Sequence, residues 1–124
     1  MVESSSFLEC DDCLCAAARR EALRLGRLYD DRLRPHGLTS NQFTLLATLI
    51  RTGPTRMNTL AERLGIDRTT LSRNINLGED RGLLTVAAGK DARERLVTLT
   101  DKGRATALAA LPAWRAAQAE AEGA

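Results

Sequence analysis

Residues 57–75 read MNTLAERLGIDRTTLSRNI, and the fold turns on how they divide. Met57, Leu60, Ala61 and Leu64 recur at i, i+3, i+4 and i+7, the spacing of a short amphipathic helix. Gly65 suits the left-handed residue that stops such a helix. Asp67 is placed to cap a second helix, with Ile66 before it and Leu71 four residues beyond it as a hydrophobic staple. That leaves a turn of about three residues, so the stretch reads as a helix–turn–helix.

The second helix runs through Ile75 to about Arg81 and ends at Gly82. At roughly 100° per residue, Leu71 and Ile75 face inward while Arg68, Thr69, Ser72 and Arg73 face outward. A merely solvated face more often carries Glu and Lys; this one is crowded with flexible hydrogen-bond donors. Arg matches the O6/N7 edge of guanine bidentately, and the hydroxyls of Thr69, Thr70 and Ser72 suit bases or phosphates. Asn74 lies nearer the flank. The free N–H groups at the helix start suit a phosphate.

The next eighteen or so residues strengthen the reading. Leu83 to Val86 is a short apolar run, Ala88 to Glu94 a polar Gly-containing turn, and Arg95 to Leu99 alternates as a strand does. A hairpin directly after a helix–turn–helix is the winged-helix arrangement. The loop, residues 88–95, reads AGKDARER and offers Lys90, Asp91, Arg93 and Arg95. An Arg at such a tip fits a narrow minor groove, where negative potential is focused. Asp91 has the wrong sign for DNA and is expected to orient Arg93 or tie the wing to the helix.

Outside this unit the pattern is helical. Residues 8–33 carry Leu14, Ala18, Leu25, Leu28, Tyr29 and Leu33 near one stripe, and Pro35 and Gly37 end it. Thr39-Ser40-Asn41-Gln42 has capping-box spacing for a helix bearing Phe43, Leu46, Leu49 and Ile50, which Gly53-Pro54 breaks. Thr100 caps a last helix, expected to bend or restart at Pro112. The fold class is therefore mainly α with a small β-hairpin. Residues 1–37 form an N-terminal tail and first helix, 38–100 a winged helix–turn–helix, and 101–124 a short C-terminal helix.

With 124 residues and few aromatics, the chain suits one helical domain. Its net charge of +2 is too small for a purely electrostatic polyanion binder. The charge is unevenly spread: residues 51–95 hold nine Lys and Arg against six acids, and the flanking segments are neutral or slightly acidic. No apolar run reaches the roughly 18 residues of a membrane span, and the acidic N-terminus lacks a signal-peptide pattern. A cytoplasmic protein with no membrane partner is expected.

These motifs together resemble the MarR (multiple antibiotic resistance regulator) family of winged-helix transcription factors over roughly residues 13–115. The matching segments are Leu38-Thr39 with Gln42-Phe43, Leu60 to Gly65, Asp67 to Leu71, and Gly82-Leu83. Asp91-Ala92-Arg93 with Val97 to Thr100 comes next, then Gly103-Arg104. The resemblance implies a homodimer bound to a pseudo-palindromic operator in double-stranded DNA, often a repressor released by a small-molecule effector, an oxidant or metal. It places residues 68–73 in the major groove, Arg93 in the minor groove and Asp91 as its anchor. The N- and C-terminal helices would form the dimerisation region.

Two departures stand out. Gly78 occupies a position where the family pattern leads one to expect Leu, and Leu77 is expected to stand in for it. Family members typically end in two long helices. Here the segment after Trp114 is short, small and polar, which either shifts the expected dimer contacts onto the first helix and Leu108–Trp114 or marks the chain as a fragment or natural truncation.

Cys10, Cys13 and Cys15 raise a sensing role. On a continuous helix Cys10 and Cys13 share a face, with Arg19 and Arg20 one to two turns on. Three thiolates suit zinc only if the segment is not helical, or if a fourth ligand comes from His36 or the partner subunit, and His36, beside Pro35 and Gly37, is better read as a loop residue. Redox sensing and a plain apolar seam residue are the remaining alternatives. No phosphate loop, nucleophile–base set or paired carboxylates point to an enzyme or to a cofactor. The rival to a DNA-binding regulator is a winged-helix module that binds protein and has weak or no DNA affinity.

Overall fold

The computed structural model describes residues 2–91 and 94–123. A short helix α1 (Val2–Ser6) and a 3-10 turn (Leu8–Asp12) precede α2 (Leu14–Leu33), α3 (Ser40–Thr52) and the two-residue strand β1 (Thr55–Arg56). Helices α4 (Met57–Leu64) and α5 (Arg68–Asp80), strands β2 (Leu84–Ala87) and β3 (Leu96–Leu99), and helix α6 (Asp101–Gly123) complete the chain.

The local signals act as expected at most junctions. Gln42 N donates to Thr39 Oγ1 and Thr39 N donates to Gln42 Oε1, closing the capping box of α3. Gly65 ends α4 at φ +65°, a region where a Cβ is strained. Asp67 caps α5 by accepting from Thr70 N at 2.8 Å, and Ile66 packs on the same core cluster as Leu71. Thr100 caps α6 by accepting from Gly103 N.

Three expectations need correcting. The first helix does not run unbroken from residue 8. It begins at Leu14, and Cys13 sits outside it in an extended conformation as N-cap, its Sγ accepting from Ala16 N. The preceding residues Leu8–Asp12 form a 3-10 turn, in which Cys10 N donates to the Phe7 carbonyl and Cys13 N to the Cys10 carbonyl, so Cys10 and Cys13 do not share a helical face.

The last helix does not restart at Pro112: α6 is continuous from Asp101 to Gly123. Its final turns pack antiparallel on α2. There Ala117 is fully buried, Tyr29 donates its hydroxyl to Gln118, and Arg32 meets Glu120 at 2.9 Å. Small residues read as a weak tail are what let two helices approach closely.

Leu77 does not replace a missing side chain at 78. It is exposed, while Gly78 is buried against β2, where a Cβ would stand 2.9 Å from Leu84 Cδ2. Leu84 fills the space a larger residue would take.

The hairpin is part of a three-stranded antiparallel sheet in the order β1-β3-β2. Thr55 pairs with Val97 and Arg56 with Leu96, a rung too short to register as a strand pattern in the sequence. The core forms two clusters with α3 as the wall between them. Leu45 and Leu49 face one, with Leu60, Leu71, Ile75 and Val97; Phe43 and Leu46 face the other, with Leu33, Ala107 and Ala110. The first cluster seats the helix–turn–helix on the sheet. The second holds that lobe to α2 and α6.

Candidate nucleic-acid interface

Burial of Leu71, Ile75 and Gly78 fixes the roll of α5 about its axis. Thr69 and Arg73 then lie fully outward, and Asn76, one turn beyond Arg73, continues the same exposed line. Ser72, Thr70 and Asn74 are half-buried on the flanks. Asn74 turns toward α3, lining a crevice with Gln42 and Leu46. Sequence reading missed Asn76, because only the outward direction set by Gly78's burial, with Leu77 exposed, brings it into line.

Arg68 is exposed at the leading end of α5, and it is not alone there. Its Nη1 donates to Asn58 Oδ1 on α4, joining the two helices of the unit across their turn. Asn58 carried no signal in the sequence, since it falls between the apolar positions of α4.

The Asp67 carboxylate is held below the ordinary aspartate range. Hydrogen bonding from the Thr70 backbone is the largest cause; the Thr70 side chain, Thr69 N–H and Arg73 charge add to it against desolvation. A lowered folded-state pKa contributes stability fully present above the unfolded value and lost as pH falls through the folded one. Asp67→Asn, which keeps an acceptor, should therefore flatten the acid limb of stability below about pH 4. Urea midpoints taken at descending pH check this; a variant whose acid limb parallels the parent's would show that the cap does not titrate with folding.

The wing is the loop that joins β2 to β3. Lys90, Asp91 and Arg95 are exposed. Lys90 N donates to Glu94 Oε2 at 3.0 Å and Glu94 N to the Asp91 carbonyl at 3.1 Å, so the loop closes on itself through Glu94. Met57 N donates to the Arg95 carbonyl at 3.0 Å, fastening the base of the wing to the start of α4. Arg93, the expected minor-groove residue, lies outside the described residues together with Ala92, as does any contact between Arg93 and Asp91.

The three cysteines are exposed free thiols. Arg19 Nη2 donates to Cys15 Sγ at 3.5 Å, and Cys13 N donates to the Cys10 carbonyl at 3.1 Å. Among the described residues no group of three or more His, Cys, Asp and Glu side chains is placed to hold a metal ion. No helix there is long and apolar enough to cross a membrane.

Below α2 a cleft opens between Ala22, Leu25, Gly26 and Tyr29 of that helix, Ser40 and Thr44 of α3, and Trp114 of α6. Trp114 stacks on Phe43 with ring centroids 6.2 Å apart and forms its back wall.

A sequence model of the MarR family matches residues 36–94. The transcriptional regulator MosR of M. tuberculosis superposes with a TM-score of 0.83 at 43% identity, over 91% of this chain and 82% of that one. The same regulator solved in complex with DNA gives 0.80 at 46% identity, over 90% and 82%. An uncharacterized HTH-type transcriptional regulator of Bacillus subtilis, YwoH, is 31% identical over 81 residues, 65% of this chain. That match spans 59% of the length of the Bacillus relative.

Proposed function

Given that the chain belongs to the MarR family, we propose that it is a homodimeric regulator of transcription that reads a pseudo-palindromic operator in double-stranded DNA. The observation that carries this reading is the exposed face of α5, Thr69 and Arg73 with Arg68 at its leading end, set beside a basic hairpin. Arg68, Thr69 and Arg73 serve base edges, and Thr70 and Ser72 the phosphates at the flank. Lys90 and Arg95 hold the backbone across which Arg93, steadied by Asp91, enters the minor groove. That MosR, at 46% identity, has been solved in complex with DNA supports DNA as the partner.

A dimer is supported by apolar surface left open. Leu14 at the start of α2 is 85% exposed, and Leu23 on α2 and Leu108 on α6 are also exposed. The stripe on α2 is covered by its own chain only in the second half. A second copy would cover the rest and set two recognition helices about one DNA turn apart. An effector in the cleft walled by Tyr29 and Trp114 lies between the dimer helices and the reading lobe. Filling it would change the spacing of the two lobes, and losing simultaneous contact at both half-sites lowers affinity by orders of magnitude. The protein would in this way act in the cytoplasm as a repressor released by ligand, with no catalytic step.

The exposure of Cys10, Cys13 and Cys15 supports an oxidant as a second releasing signal. Peroxide takes one thiol to a sulfenic acid and is reduced to water; condensation with a second thiol forms a disulfide and releases another water.

Fluorescence anisotropy on a duplex of the protein's own upstream DNA tests the reading, reduced and after mild peroxide. Binding with a steep log–log dependence on salt supports the regulator, and its loss on oxidation supports the cysteine switch. Absence of binding would favour the module that binds protein instead. Arg93→Ala should lower affinity about tenfold and reduce the salt slope by about one per wing with the thermal midpoint unchanged. An unchanged affinity would remove Arg93 from the interface.

A further inference from the structure

The bond from Arg68 to Asn58 links the first turns of α4 and α5. We propose that Asn58 is a positioning residue that sets which base Arg68 recognises, an inference that rests on the DNA-reading role of α5 proposed above. Arg68 is the first residue of α5 and Asn58 the second of α4. Their contact spans ten residues of chain and ties the two helices at the end nearest the wing.

The chemistry of the pair suits this task. A long exposed Arg at a helix end samples many rotamers, and docking it on a base costs that freedom. Holding Nη1 on the Asn58 carbonyl oxygen removes part of the cost in advance. It leaves the Nε and Nη2 edge of the guanidinium for the two parallel acceptors of a guanine. An amide does this without cancelling charge, so the attraction of Arg68 for DNA is kept; a carboxylate would weaken it. The carboxylate next to Arg68 in the chain, Asp67, is engaged by Thr70 N and caps α5. Asn58 itself is half-buried, so its own orientation is restrained by the packing of α4.

The test compares wild type, Asn58→Ala, Asn58→Asp, Arg68→Ala and the Asn58→Ala/Arg68→Ala double variant. Each is titrated against the upstream duplex and against copies in which each half-site base pair is changed in turn. Wild type that fails to prefer its own duplex overturns the DNA-reading role, and this inference with it.

Where wild type binds specifically, Arg68→Ala identifies the base pair it reads. Asn58→Ala should then lower the preference at that one base pair by roughly 3- to 10-fold. It should leave an unrelated duplex within about twofold and add nothing in the double variant. Asn58→Asp keeps the acceptor oxygen, so it should restore the preference while weakening all duplexes alike. A loss from Asn58→Ala spread evenly over every base pair, or one that adds to Arg68→Ala, overturns the positioning role and leaves Asn58 a phosphate contact or a folding residue. Thermal midpoints of the same variants separate those two.

Discussion

Gly103→Ala should destabilise the protein by about 3 kcal/mol or more, although Gly→Ala inside a helix ordinarily gains up to about 1 kcal/mol. The reason is what lies over the glycine. A Cβ at 103 would stand 2.0 Å from the Leu83 carbonyl oxygen and 2.8 Å from Leu99 Cδ1. A leucine methyl can swing aside, but the Leu83 carbonyl accepts from Thr100 N at 3.1 Å and cannot. Helix α6 must therefore slide off the end of the sheet, drawing Ala107 and Ala110 away from Leu33 and Leu46. Against a total stability of about 5–15 kcal/mol for a domain of this kind, the loss is large. Urea unfolding measures it directly; a midpoint equal to or above wild type would mean that α6 does not abut the sheet here.

The largest effect on DNA is expected from Arg68→Ala. One bidentate contact discriminates its base by about 1–3 kcal/mol, and a dimer makes it twice, so preference should fall by about 2–6 kcal/mol across an operator. Affinity for unrelated duplex should fall much less, by the loss of one positive charge per protomer. Competition titrations with single-base operator variants reveal the pattern: loss confined to one position in each half-site marks a base contact. A uniform fall, with a salt slope reduced by about one per protomer, would place Arg68 on a phosphate instead.

Much of the lobe was legible because its signals are local. Asp67 with Ile66 and Leu71, Thr39 with Gln42, and Gly65 each act within one turn of chain, so short-range spacing was enough to place α3, α4 and α5. The features that stayed hidden depend on distant partners. Thr55 and Arg56 form a strand only because Val97 and Leu96 lie beside them. Gly78 departs from the expected Leu because Leu84, six residues on in β2, fills its place. The Ala-rich end of α6 looked like a tail because small residues announce no apolar face, yet they are what close packing on α2 requires. At the interface, the outward residues of α5 followed from periodicity, whereas Asn58 was invisible because it acts through the turn rather than along a helix.

The order of strands in the sheet has a consequence for how the molecule is made. The middle strand, β3, is the last of the three to leave the ribosome. Neither β1 nor β2 has a neighbour until it arrives, and Val97, fully buried among Leu60 and Leu71, arrives with it. At 5–20 residues per second, the roughly 40 residues between β1 and β3 take about 2–8 s to emerge. Through that interval α4 and α5 are present as sequence but lack the floor they rest on. A nascent chain, a truncation or a graft that ends at α5 thus carries Arg68, Thr69 and Arg73 and still has no stable surface on which to present them.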